Sequence, residues 1–163
     1  MPRHDAEDIA SILRRSHHGR DRLILAVGPS GCGKTAWLRR AAAAHRLHYV
    51  SLGQPLAGAI ANVTPRHRPI ALARTLDHIL PSGDGGLCLD NLDVLFLPEL
   101  QCDPLRLVAQ LSQYRLVLAG FTAQFFDGRF TRAYPDHPEY LSRVLSGVTV
   151  ASLSSGDQTF FQT

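Results

Sequence analysis

A chain of 163 residues, 45% apolar and 19% charged, has the length and composition of one globular domain with a core of its own. No apolar run approaches the ~20 residues of a membrane helix, and the mixed-charge start, Met1 to Asp8, carries no apolar signal segment, so a cytoplasmic protein without a membrane contact is expected. The net charge of +3 needs no nucleic-acid partner to account for it, and three cysteines (Cys32, Cys88, Cys102) without C-x-x-C spacing suggest neither a disulfide framework nor a zinc site.

In chain order, Asp5 to Arg15 carries Ile9, Ile12 and Leu13 at helical spacing, which predicts a short amphipathic helix. The basic group Arg14, Arg15, Arg20 and Arg22 reads as a solvated face before it reads as a DNA contact; any DNA contact is expected to be indirect. Neither His17-His18 nor the pair His45 and His48 has metal-ligand geometry. Arg22 to Val27, RLILAV, is a strand buried on both faces, and Lys34 to His45 is a helix without a breaker. Leu47 to Leu52 is a second strand, Gln54 to Ala61 a weak helix, Thr64 to Pro69 a loop and Ile70 to Leu80 a helix stopped by Pro81. Leu87 to Asp90 is a third strand.

Asp103-Pro104 marks an N-cap with proline at the first helical position, for a helix to about Gln113. Arg115 to Gly120 is a fourth strand. Asp127-Gly128 marks a tight hairpin, His137 to Leu145 reads as a helix, and Gly147 to Leu153 is a fifth strand. Ser154 to Thr163 is expected to be a polar, disordered tail beyond a single domain of residues 1–153, with Phe160 and Phe161 as the residues able to dock. Strands alternating with helices predict a five-stranded parallel sheet covered on both faces.

Gly28-Pro29-Ser30-Gly31-Cys32-Gly33-Lys34-Thr35 fits G-x-x-x-x-G-K-[ST] and sits between a buried strand and a helix. In such a loop the glycines let successive N–H groups face one point, and the helix dipole adds positive potential there. Lys34 is the single lysine beside sixteen arginines, at the position where a compact ammonium fits between phosphate oxygens and a planar guanidinium does not. Thr35 is placed to supply a hydroxyl to Mg2+, and Asp90, at the tip of an apolar strand, reads as the second metal-site residue, acting through water, before it reads as an N-cap after the strand. ATP and Mg2+ are the expected ligands.

The catalytic machinery is less fully specified. Asn91 stands where many hydrolytic P-loop proteins place a glutamate, and an amide can position water without taking its proton. Asp93 could substitute as the base, or cap the next segment. Thr122, past the fourth strand, is placed either to sense the γ-phosphate or as a turn hydroxyl. No lid domain is expected after the fifth strand, so any transition-state arginine would come from another chain, with Arg129, Arg132 and Arg143 as candidates.

GPSGCGKT, LDNLDVLF at 89–96, DPLRL at 103–107 and DHPEY at 136–140 together resemble the BrxF family, the small P-loop proteins of type 3 BREX (bacteriophage exclusion) defence systems. The resemblance spans roughly residues 8 to 153. It implies the phosphate loop at Gly28 to Thr35, the metal carboxylate at Asp90, and Asn91 as the family's own residue. It also implies a cytoplasmic setting beside a large ATPase, a DNA methyltransferase, a helicase and a phosphatase-like protein.

The expectation is therefore an ASCE-type P-loop NTPase in which one strand lies between those carrying the phosphate loop and Asp90. It would be an accessory or regulatory ATPase of phage defence, slow alone and dependent on nucleotide-driven self-association or a partner. A nucleotide-gated binding module without turnover is the alternative. A small-molecule kinase is less well supported, because the segment after Leu52, GQPLAGAIANV, has no acidic residue to hold an acceptor.

Overall fold

The computed structural model describes residues 10, 11, 13, 14 and 22–163. Most of the expected first helix, with Ile9 and Ile12, lies outside the described residues, as do Arg15, Arg20, His17 and His18; Leu13 is helical and buried.

The apolar run after Arg22 forms β1 (Leu23–Gly28), buried at every residue because a strand covers each edge and helices cover each face. In chain order follow α1 (Lys34–His45), β2 (His48–Ser51), α2 (Gly53–Ala61), α3 (Arg68–Ile79), β3 (Leu87–Asp90), α4 (Pro104–Leu111) and β4 (Val117–Thr122). Then come three short strands, β5 (Gln124–Phe126), β6 (Arg129–Arg132) and β7 (Leu141–Val144), and finally β8 (Thr149–Ser154) and β9 (Asp157–Gln162).

The main sheet has the order β2-β3-β4-β1-β8-β9. Five strands run parallel, and β9 pairs antiparallel with β8, so the sheet is mixed and six-stranded instead of purely parallel. The segment 154–163 is therefore no disordered tail. Gly156 (φ 87°) makes the turn that a side-chain-bearing residue resists, Phe160 packs 6.5 Å from the Trp37 ring, and Phe161 lies 5.3 Å from Phe125. β4 lies between β1 and β3.

Alternation along β1 separates two cores. Leu23, Leu25 and Val27 join Leu56 and Ile60 of α2, Leu72 and Leu76 of α3 and Leu105 and Val108 of α4. Ile24 and Ala26 face Trp37, Leu38, Ala41 and Ala42 of α1. α1 approaches so closely that a Cβ on Gly120 would stand 2.6 Å from Leu38 Cδ1. That contact sets the height of α1 above the sheet beside Asp90.

β5, β6 and β7 form a separate antiparallel sheet. Asp127 (φ 48°) and Gly128 (φ 73°) make the left-handed pair that a two-residue hairpin turn demands, as Asp-Gly predicts. The helix expected over His137 to Leu145 is a correction. His137 to Tyr140 closes as a turn through Tyr140 N–H to His137 O, and Leu141–Val144 pairs with β6 as β7. Pro138 just after His137 and the ladder offered by β6 outweigh the local helical pattern. Phe130 of this sheet stacks edge-on against Phe121 of β4 at 5.7 Å, which fastens the two sheets together.

Candidate functional site

The loop residues, Asp90, Asn91, Asp93 and Thr122 converge at the C-terminal ends of β1, β3 and β4, whereas Arg129 and Arg143 lie outside that cluster. Register places Gly28 opposite Thr122, and Leu89, just before Asp90, opposite Ala119. A cavity of about 590 Å³ there is lined by the loop residues Ser30, Gly31, Gly33, Lys34 and Thr35 together with Arg39, Asp90, Asn91, Asp93 and Thr122.

The loop is shaped by its glycines. A Cβ on Gly28 would come 2.5 Å from Leu153 O and 2.7 Å from Cys32 Sγ, so only glycine fits where β1 turns outward. Gly31 (φ 77°) and Gly33 (φ 92°) take left-handed conformations with open space around them, so there the backbone angle, not room, requires glycine. Pro29 and Ser30 lie exposed on the outer curve, and Cys32 folds beneath it, half-buried.

The first backbone bond of α1 runs from Trp37 N–H to Gly33 O, so the N–H groups of Lys34, Thr35 and Ala36 leave the helix end without intrahelical partners. No acidic residue sits in this first turn to offset the positive end of the dipole. Lys34 Nζ donates to Gly28 O at 2.9 Å and Pro29 O at 2.7 Å, which holds the ammonium at the mouth of the loop. A helix end with free N–H groups and an ammonium beside it is an arrangement that can hold an anion.

Asp90 is 3% exposed, and its carboxylate is oriented by two donors: Tyr49 Oη at 2.8 Å on Oδ2 and Asn91 N–H at 2.8 Å on Oδ1. Tyr49 lies 41 positions away on β2 and was not among the residues picked from sequence. Burial pushes its phenol pKa up; the bond to Asp90 adds to that shift, and Arg39, whose guanidinium stands 5.2 Å from the ring centroid, opposes it. Thr35 and Asp90 share the cavity. Their hard oxygen donors suit Mg2+, which is commonly held by one or two carboxylates plus substrate phosphates and waters. No group of three or more His, Cys, Asp or Glu side chains that would cage a metal without substrate exists among the described residues.

Asn91 takes a left-handed φ of 56°, which asparagine tolerates better than most residues, and its Nδ2 donates to Ser51 Oγ at 2.7 Å. Both oxygens of Asp93 are engaged: Oδ1 by Arg132 NH1 at 2.7 Å and Oδ2 by Thr122 Oγ1 at 3.1 Å. Arg132 also donates to Thr122 O and Glu139, and its guanidinium covers the Phe96 ring at 4.6 Å. Arg143 pairs with Asp103 at 2.7 Å. Of the three candidate trans arginines, Arg129 alone is exposed and has no acidic partner among the described residues; its bond is to Ser142 Oγ.

A scan against protein-family models, a search of curated proteins and a search of solved structures each return no match to this chain. No helix among the described residues is long and apolar enough to cross a membrane.

Proposed function

We propose that the chain is an ASCE-type P-loop protein that binds ATP with Mg2+ and serves as an accessory or regulatory ATPase of a BREX phage-defence system. The observation that carries the nucleotide reading is the convergence of three independent features on one cavity. These are a glycine-shaped loop of N–H donors, the Lys34 ammonium, and a buried carboxylate, Asp90, one strand removed. In this reading the loop and Lys34 hold the phosphates, Thr35 and Asp90 hold the metal, and the bound metal supplies charge neutralisation along the phosphate chain. The BREX setting is supported by the resemblance of LDNLDVLF, DPLRL and DHPEY, together with the phosphate loop.

A nucleotide-gated module without turnover is favoured by one specific observation. Asn91 carries an amide, which cannot take a proton, and the Asp93 carboxylate is ion-paired with Arg132 and accepts from Thr122, so it anchors that contact instead of standing unpaired beside the cavity. The experiment that tests the proposal is calorimetric titration with ATP in Mg2+ and in EDTA, on the parent and on Asp90→Asn. The variant should lose the Mg2+-dependent gain in affinity and keep the binding measured in EDTA. Equal losses in both conditions would sink the metal role. Phosphate release measured with and without the large ATPase then separates the ATPase from the module.

A further inference from the structure

Two cavities meet at the first turn of α1. The phosphate-site cavity opens toward Asp90, and a second, of about 360 Å³, opens toward the β8–β9 turn; Gly33 and Ala36 line both. We propose that the second cavity receives the nucleoside end of the triphosphate, a purine met by Gln158 and Asp157. This rests on the nucleotide reading given above.

The geometry follows from the direction of the ligand. A triphosphate seated in the loop has its terminal phosphate toward Thr35, Asp90 and Thr122, the side that carries the metal ligands. Its other end leaves on the opposite side of Gly33, where Cys32, Ala36 and Trp37 line the hollow and Ala36 adds no obstructing side chain. The far wall is the β8–β9 turn, with Ser154, Gly156, Asp157 and Gln158.

The polar groups on that wall have spare capacity. Trp37 Nε1, a donor only, gives its hydrogen to Gln158 Oε1 at 2.5 Å. That bond fixes which end of the amide faces the indole and leaves the Nε2 hydrogens without a protein partner among the described residues. The exposed Asp157 carboxylate pairs with no cation among the described residues. A donor amide beside an acceptor carboxylate complements a purine edge, which presents ring-nitrogen acceptors beside an amine or N–H donor.

The test compares ATP with inorganic tripolyphosphate, both with Mg2+, by calorimetry on the parent, Gln158→Glu and Ser154→Trp, with thermal unfolding to verify each fold. Gln158→Glu keeps the acceptor for Trp37 and removes the donor; Ser154→Trp fills the cavity. The parent should bind ATP at least about tenfold more tightly than tripolyphosphate. Ser154→Trp should bring ATP down to the tripolyphosphate level, and Gln158→Glu should weaken ATP by roughly two- to tenfold, the range of one neutral hydrogen bond. Neither variant should weaken tripolyphosphate by as large a factor. Equal affinity of the parent for both ligands, or ATP binding indifferent to both variants, would overturn the inference while leaving the phosphate site standing. Failure of the parent to bind either ligand would overturn the nucleotide reading and this inference with it.

Discussion

Arg132 on β6 donates to Asp93 at 2.7 Å across 39 positions of sequence, clamping the small antiparallel sheet onto the 3-10 turn Leu92–Phe96 that follows β3. The same guanidinium binds Glu139 and the Thr122 carbonyl and is only 14% exposed. An arginine so enclosed in its own chain is a structural clamp, not a residue free to reach a neighbour.

Arg132→Ala should accordingly cost about 2–4 kcal/mol, because Glu139 and Asp93 lose their shared cation while partly buried. Arg129→Ala, at an exposed site, should stay within about 0.5 kcal/mol. Urea unfolding of the two variants checks this; equal stabilities would refute the clamp. If ATP turnover rises more than linearly with protein concentration, Arg129→Ala should abolish that rise with the fold intact.

Tyr49→Phe should weaken Mg2+-dependent ATP binding by roughly tenfold or more, since one charge-assisted hydrogen bond to the Asp90 carboxylate is lost, and should leave binding in EDTA unchanged. Titration in the two conditions decides it. An equal loss in both would show that Tyr49 acts on the fold and not through Asp90.

Stability should fall at both ends of the pH scale. Asp103 is penalised by burial, but Arg143 and the Arg106 N–H outweigh that and hold its carboxyl below the ordinary range. Its contribution is present above the unfolded value, near 4, and is lost as pH falls through the lower folded value. Cys88 is pushed up to about 12, first by burial and then by Asp90, so its contribution is present below about 9 and is lost as pH rises toward about 12. Tyr49, also raised, acts in the same direction above about 10. Denaturant midpoints measured from pH 3 to 11 should therefore peak between these limbs, and Cys88→Ala should flatten the alkaline one. An alkaline limb unchanged in that variant would contradict the assignment.

Much of the frame was legible because its signals are local. β1 is one apolar run, the glycine loop is one motif, Asp127-Gly128 is one turn, and the Asp103 cap reaches only to Arg106 N–H at 3.1 Å. What escaped depends on partners distant in sequence. β9 reads as polar because it is an edge strand with alternating exposure, held by pairing to β8 and by Phe160 and Phe161. β7 needs β6 beside it to be a strand. The bond from Tyr49 to Asp90 comes from register between β2 and β3, which no spacing within either strand encodes.

The most direct test is the affinity of Lys34→Ala for ATP with Mg2+, measured by calorimetry beside a thermal unfolding curve. Alanine is a good residue for the first turn of a helix, and Lys34 makes its bonds to loop carbonyls and not to the core, so the fold should persist. Loss of charge-assisted bonds to phosphate should reduce affinity by about 100-fold or more. A folded Lys34→Ala variant that binds ATP as tightly as the parent would contradict the assignment of Gly28 to Thr35 as a phosphate-binding loop.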